Sequence, residues 1–116
     1  MNEERNVKMI EVKTADLIGP ALDWAVAKAD GWDFSKEYYR IMVQGYCPST
    51  DWSQGGPLID KHNAYHHRDQ RGQITAWVEG FRSYKGETRL IAACRAIVAA
   101  KLGDVVQVPE ELAPAN

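Results

Sequence analysis

The segment from Pro48 to Asp60, PSTDWSQGGPLID, gathers the groups best able to meet a ligand. It holds hydroxyls at Ser49, Thr50 and Ser53, a carboxylate at Asp51, an amide at Gln54, an indole at Trp52 and two small backbone positions at Gly55 and Gly56. One reading makes these eight residues a binding loop, because loops on a rigid scaffold carry functional groups and glycine lets a ligand approach the backbone closely. The other makes Trp52 a core anchor, with Ser49, Thr50 and Asp51 satisfying nearby backbone donors. A phosphate-cradling loop would need Lys and then Ser or Thr after the glycines, and Pro57 and Leu58 stand there instead. Locally, Asp51 with Gln54 three residues later predicts a capped helical turn, Gly55 and Gly56 its break, and Pro57 a second turn through Lys61.

Three further sets of residues could do chemistry. Asp60, His62, His66, His67 and Asp69 are metal-ligand types, and His62 and His66 would share a face if helical. No glutamate lies between them as a zinc protease requires, and Lys61, Arg68 and Arg71 favour a solvated polar loop. Cys47 beside a histidine could form a nucleophile and base, although nothing around GYCPS signals an activated thiol. Arg82, Lys85, Arg89 and Arg95, with Trp77, Phe81 and Tyr84, could form a basic and aromatic face for nucleic acid. Trp24 and Trp52 each follow an aspartate, which suggests that the two indoles meet across helix and loop, or that an exposed one marks a partner surface.

The elements that must position these groups come from a chain of 116 residues, enough for one domain and one core. Hydrophobic content of 45% and charged content of 26% fit a globular protein and exclude wholesale disorder. A net charge of −2 and a pI near 5.9 weigh against binding that relies on bulk phosphate neutralisation. No apolar run approaches the roughly 20 residues of a membrane helix, and the mixed-charge start MNEERNVK does not resemble a secretory signal, so a cytoplasmic protein is expected. Two cysteines are too few for a disulfide framework, and both are expected to be free.

Val7 to Lys13 alternates and predicts a first strand, followed by a turn over Asp16 to Ile18 capped by Thr14. Leu17, Ile18, Ala21, Leu22, Ala25, Val26 and Ala29 form one helical stripe, with Pro20 suited to the first turn and Gly31 to the stop. Tyr38 to Gln44 predicts a second strand. Gln73 to Tyr84 predicts a third and longer one, apolar on both faces and so demanding cover on both. Thr88 caps a second helix whose stripe runs through Leu90, Ile91, Cys94, Ile97, Val98 and Leu102 to a stop at Gly103. Val105 to Val108 predicts a short strand or packing arm. The expectation is an α+β domain over residues 1–116, with flexible ends at 1–6 and 113–116. Its order is β-α-β-loop-β-α, with a small sheet of three to four strands and two main helices in an α-β sandwich.

Three blocks, ALDWAVAKADG, PSTDWSQGGPLID and LIAACRAIVAAKLGD followed by VPEEL, resemble in order and content the phage NinX family, accessory proteins of the nin region of lambdoid phages and prophages. The likeness spans Val12 to Leu112. More loosely, STDW and the GET helix resemble small phage α-β-α sandwich domains. Pro20 and the histidine-rich DKHNAYHHRDQRGQ depart from the family's pattern. The resemblance implies a phage or prophage origin and a location in the host cytoplasm. It supplies no reaction, cofactor or catalytic residue. The leading expectation is therefore a non-catalytic interaction module that meets a host or phage protein through its STDWSQGG loop. A weak nucleic-acid binder and a metal-dependent hydrolase follow as alternatives, and a homo-oligomer remains open.

Overall fold

A computed structural model describes residues 8–32 and 45–113 of the chain. Five strands and three α-helices are found there: β1 (Met9–Lys13), α1 (Gly19–Ala29), α2 (Trp52–Lys61), β2 (Ala64–Arg68), β3 (Ile74–Val78), β4 (Tyr84–Gly86), α3 (Arg89–Leu102) and β5 (Val105–Pro109). This is the α+β class that the sequence predicts, with the strands divided between two small antiparallel sheets, β1-β5 and β2-β3-β4. The strand expected over Tyr38 to Gln44 lies outside the described residues. No helix among them is long and apolar enough to cross a membrane.

The first sheet joins the two ends of the described chain. Met9 pairs with Pro109 and Lys13 with Val105, and Glu110 donates its amide to the Lys8 carbonyl at 2.8 Å to extend the ladder. Thr14 does not cap the turn that follows. Its hydroxyl is buried and donates to the Gly103 carbonyl at 2.7 Å, while its amide donates to Asp104 at 2.9 Å, so the 3-10 turn at Thr14–Asp16 is tied to the start of β5. Here a long-range bond wins over the local cap because the hydroxyl is buried and needs a partner.

Helices α1 and α3 form where the stripes place them. Pro20 sits in the first turn of α1, and Gly31 follows it at φ +91°, a conformation glycine adopts at no steric cost. Thr88 accepts from the Ile91 amide at 3.1 Å, and Gly103 ends α3 at φ +97°. Leu17, Leu22, Val26, Ile97, Val98, Val106 and Val108 make the main core between α1, α3 and β5. A second cluster sets Ile74 and Ala76 against Ala92, Ala93 and Ala96. Small residues on this face of α3 let the sheet approach closely, and a Cβ on Gly86 would lie 2.5 Å from the Ala92 amide nitrogen.

Two expectations are corrected in the middle of the chain. The long strand from Gln73 to Tyr84 is β3 and β4, separated by a turn in which Gly80 takes φ +89°. The histidine segment is a strand instead of a solvated loop: Ala64–Arg68 pairs with Ile74–Val78, closed by a turn built on Asp69 and Gly72. Asp69 accepts from the Arg71 and Gln73 amides, its own amide donates to Gln73, and Gly72 takes φ +85°, the left-handed position that a three-residue hairpin loop requires. Ile74, Ala76 and Tyr84 face α3, so by alternation Tyr65, His67, Thr75, Trp77 and Lys85 line the opposite face. Among the described residues that second face of β3 has no helix over it.

Candidate functional site

The segment Pro48 to Asp60 is held at several points. Pro48 and Ser49 are buried, and the Ser49 amide donates at 2.8 Å to the carboxylate of Asp23 on α1. Burial raises the Asp23 carboxyl above its usual range, against the hydrogen bonds from Ser49 that favour the ion. The Cys47 carbonyl accepts from the Thr50 amide at 3.1 Å and the Asp51 amide at 3.0 Å, closing the turn. Gln54 reaches back across it: its Oε1 accepts from the Cys47 amide at 2.8 Å, and its Nε2 donates to the Gly45 carbonyl at 3.0 Å and to Asp51 Oδ2 at 3.2 Å.

Asp51 caps α2, its Oδ1 accepting from the Ser53 amide at 2.9 Å and the Ser53 hydroxyl at 2.7 Å. These bonds hold its carboxyl below the usual range. Gly55 and Gly56 do not break the helix, which runs unbroken from Trp52 to Lys61 and takes in Pro57. The reason is packing. A Cβ on Gly55 would collide with the Pro48 carbonyl and would lie 2.6 Å from Leu90 Cδ2, so glycine is what lets α2 lie against the turn and α3. The Gly55 amide is used inside the helix, donating to Asp51 at 2.8 Å.

Trp52 is not the anchor of this assembly. It stands 53% exposed at the start of α2, whereas Trp24 is 4% exposed in the core. The two indoles do not form the lock between helix and loop; the Asp23–Ser49 bond does. Beside Trp52 lies His66, with ring centroids 6.3 Å apart at an edge-on angle. Arg89 Nη1 donates to His66 Nδ1 at 2.9 Å. A guanidinium can only donate, so His66 is neutral with its proton on Nε2. Burial first, and the Arg89 charge second, depress the His66 pKa. Trp52, His66 and Arg89 thus form one surface from α2, β2 and α3. A cleft of about 250 Å³ lined by Gly56, Ile59, Asp60, Asn63, Ala64 and Tyr65 lies alongside.

The other candidates are dispersed. His62 and His66 lie in a turn and a strand, so they share no helical face. His62 meets Asp30 at 2.9 Å, next to Lys61 at 2.8 Å. Burial pushes the Asp30 carboxyl up, but its hydrogen bonds and charge pairing with Lys61 and His62 outweigh that and hold it low. Among the described residues no three His, Cys, Asp or Glu side chains converge on a point that could hold a metal ion. Cys47 contacts Gly45 and Gln54 through its sulfur, and burial pushes the Cys94 thiol up to about 12.

Of the basic set, Arg95 is 9% exposed and bonded inward: Nε donates to the Leu17 carbonyl and Nη1 to the Lys85 carbonyl, each at 2.8 Å. Arg82 stands 3.8 Å from Asp104, and Arg89 is turned toward His66. These four cations do not share a face. Sequence reasoning missed the pair Tyr65 and Trp77, stacked across β2 and β3 with centroids 5.6 Å apart and planes at 10°. The signal was present in the Asp-x-x-Gly turn between two alternating runs.

No curated protein matches the chain. The family model described as "Bacteriophage P22, NinX" matches residues 13–101, a span that contains α1, α2, the three-stranded sheet and all but the last residue of α3. The chain belongs to the phage NinX family.

Proposed function

We propose that this phage accessory protein is a non-catalytic interaction module that docks onto a host or phage protein in the bacterial cytoplasm through the surface centred on Trp52. The observation that carries this reading is the contrast within one loop: Ser49, Asp51 and Gln54 are spent on holding the backbone, and Trp52 is held outward by them. A half-exposed indole on a pre-ordered turn costs little entropy to bury, and tryptophan and arginine are the residues most enriched where binding energy concentrates. Ser53 and Arg89 supply polar groups at the rim, and the neighbouring cleft offers Ile59, Ala64 and Tyr65 beside the polar Asp60 and Asn63.

Affinity capture from phage-infected cells, run in parallel with wild type and Trp52→Ala, tests this. A partner retained by wild type and lost from a Trp52→Ala protein with unchanged circular dichroism supports the reading. Recovery of the same proteins by both removes Trp52 from function.

A further inference from the structure

The exposed face of the β2-β3-β4 sheet shares Tyr65 with the cleft beside Trp52 but has its own chemistry. Tyr65 and Trp77 are directly opposed in the register and stacked, with Tyr65 49% exposed. One step along the strands, His67, Thr75 and Lys85 form a complete row across all three strands. No carboxylate occupies any of these five positions. The nearest acid along β3, Glu79, follows the strand in the turn that carries Phe81, itself 53% exposed. A face of this composition is unlike an ordinary solvated sheet face, where polar residues alternate with the core.

We propose that this face binds single-stranded nucleic acid. Flat aromatic rings stack on bases of any sequence, and an exposed cation beside them meets the backbone phosphate. The sheet supplies the spacing. Successive same-face positions on a strand are about 6.7 Å apart, and diagonal neighbours on adjacent strands about 7–8 Å apart, within reach of a lysine. Lys85 is the diagonal neighbour of Trp77, so its ammonium reaches the phosphate of a base resting on the indole. The imidazole of His67 and the hydroxyl of Thr75 complete the row as hydrogen-bonding groups. The partner is recognised by stacking plus local positive charge, which a net charge of −2 over the whole chain does not prevent. Trp52 takes no part, and Trp77 and Lys85, which do not line the cleft beside it, keep the two proposals separable.

The test is fluorescence anisotropy at low salt with labelled oligo(dT), oligo(U) and a hairpin duplex. Binding of either single strand in preference to the duplex is expected, the tighter arm telling DNA from RNA. Tyr65→Ala and Trp77→Ala should each weaken it at least about tenfold. Lys85→Ala, which leaves the aromatics in place, should reduce the slope of log affinity against log salt by about 0.7. Trp52→Ala should bind as wild type does. No single-strand binding at any salt, stronger binding to duplex, or unchanged affinity in Tyr65→Ala and Lys85→Ala overturns the proposal. So does a sedimentation measurement in which wild type is a dimer and Trp77→Ala a monomer, since the face would then belong to a second copy.

Discussion

Adjacent glycines in α2 should respond unequally to alanine, and the size of the difference can be worked from their surroundings. Alanine is favoured over glycine in a helix by about 1 kcal/mol, a gain available in principle at both positions. At Gly56 the new methyl would sit 3.7 Å from Trp52 Cε3, an ordinary contact, but it would also meet the ring of Pro57, which disfavours the helical conformation for a preceding residue that carries a Cβ, so the gain is offset. At Gly55 it would strike the carbonyl of the buried Pro48 and the side chain of the buried Leu90, the first of which is backbone fixed in the turn below α2. Overpacking of a tight core costs about 1–3 kcal/mol, and a clash with backbone belongs at the upper end, which leaves a net loss of about 2 kcal/mol. For a chain of this size 1 kcal/mol moves the melting temperature by about 4 °C. Gly55→Ala should therefore melt about 8 °C below wild type and Gly56→Ala within about 4 °C of it. Thermal unfolding followed by far-UV circular dichroism measures both. A Gly55→Ala protein as stable as wild type would falsify the packing that explains why the helix runs through the Gly-Gly-Pro stretch.

Arg95→Met should destabilise the domain by about 2–4 kcal/mol in urea unfolding, because it leaves the Leu17 and Lys85 carbonyls without their charged donor. Thr88→Ala removes the cap on α3 and should cost about 1 kcal/mol in the same assay. Asp30 has a folded-state pKa below its unfolded value, so its pairing with Lys61 and His62 adds stability that is fully present above the ordinary carboxylate range and is lost as pH falls through the lowered value. Asp30→Asn should consequently lose stability at neutral pH and show a shallower decline below about pH 4; an acid limb identical to wild type would contradict the assignment.

The parts of the fold that were legible in the sequence are those whose pattern and local chemistry agree. The stripes of α1 and α3 coincide with Pro20, Gly31, Thr88 and Gly103, so periodicity and end signals point the same way. The middle was harder because packing there overrides local preference. Gly55 reads as a helix breaker until Pro48 and Leu90 are seen to need its missing side chain. The histidine segment reads as solvated because its inward positions, Ala64 and His66, are small or polar, and His66 is accommodated only through Arg89 from a distant helix. The candidate loop was found from its residue types, but its division of labour was not. Which of Ser49 and Trp52 goes inside depends on Asp23, some 26 residues earlier, offering a buried acceptor.

The account turns on Trp52 being held outward by a loop that does not need it. The free energy of unfolding of Trp52→Ala, set against wild type in urea, tests that most directly. A surface indole predicts a change within about 1 kcal/mol. A loss of about 3–5 kcal/mol, the cost of emptying a core site, would place the indole in the interior and remove the basis for a docking surface.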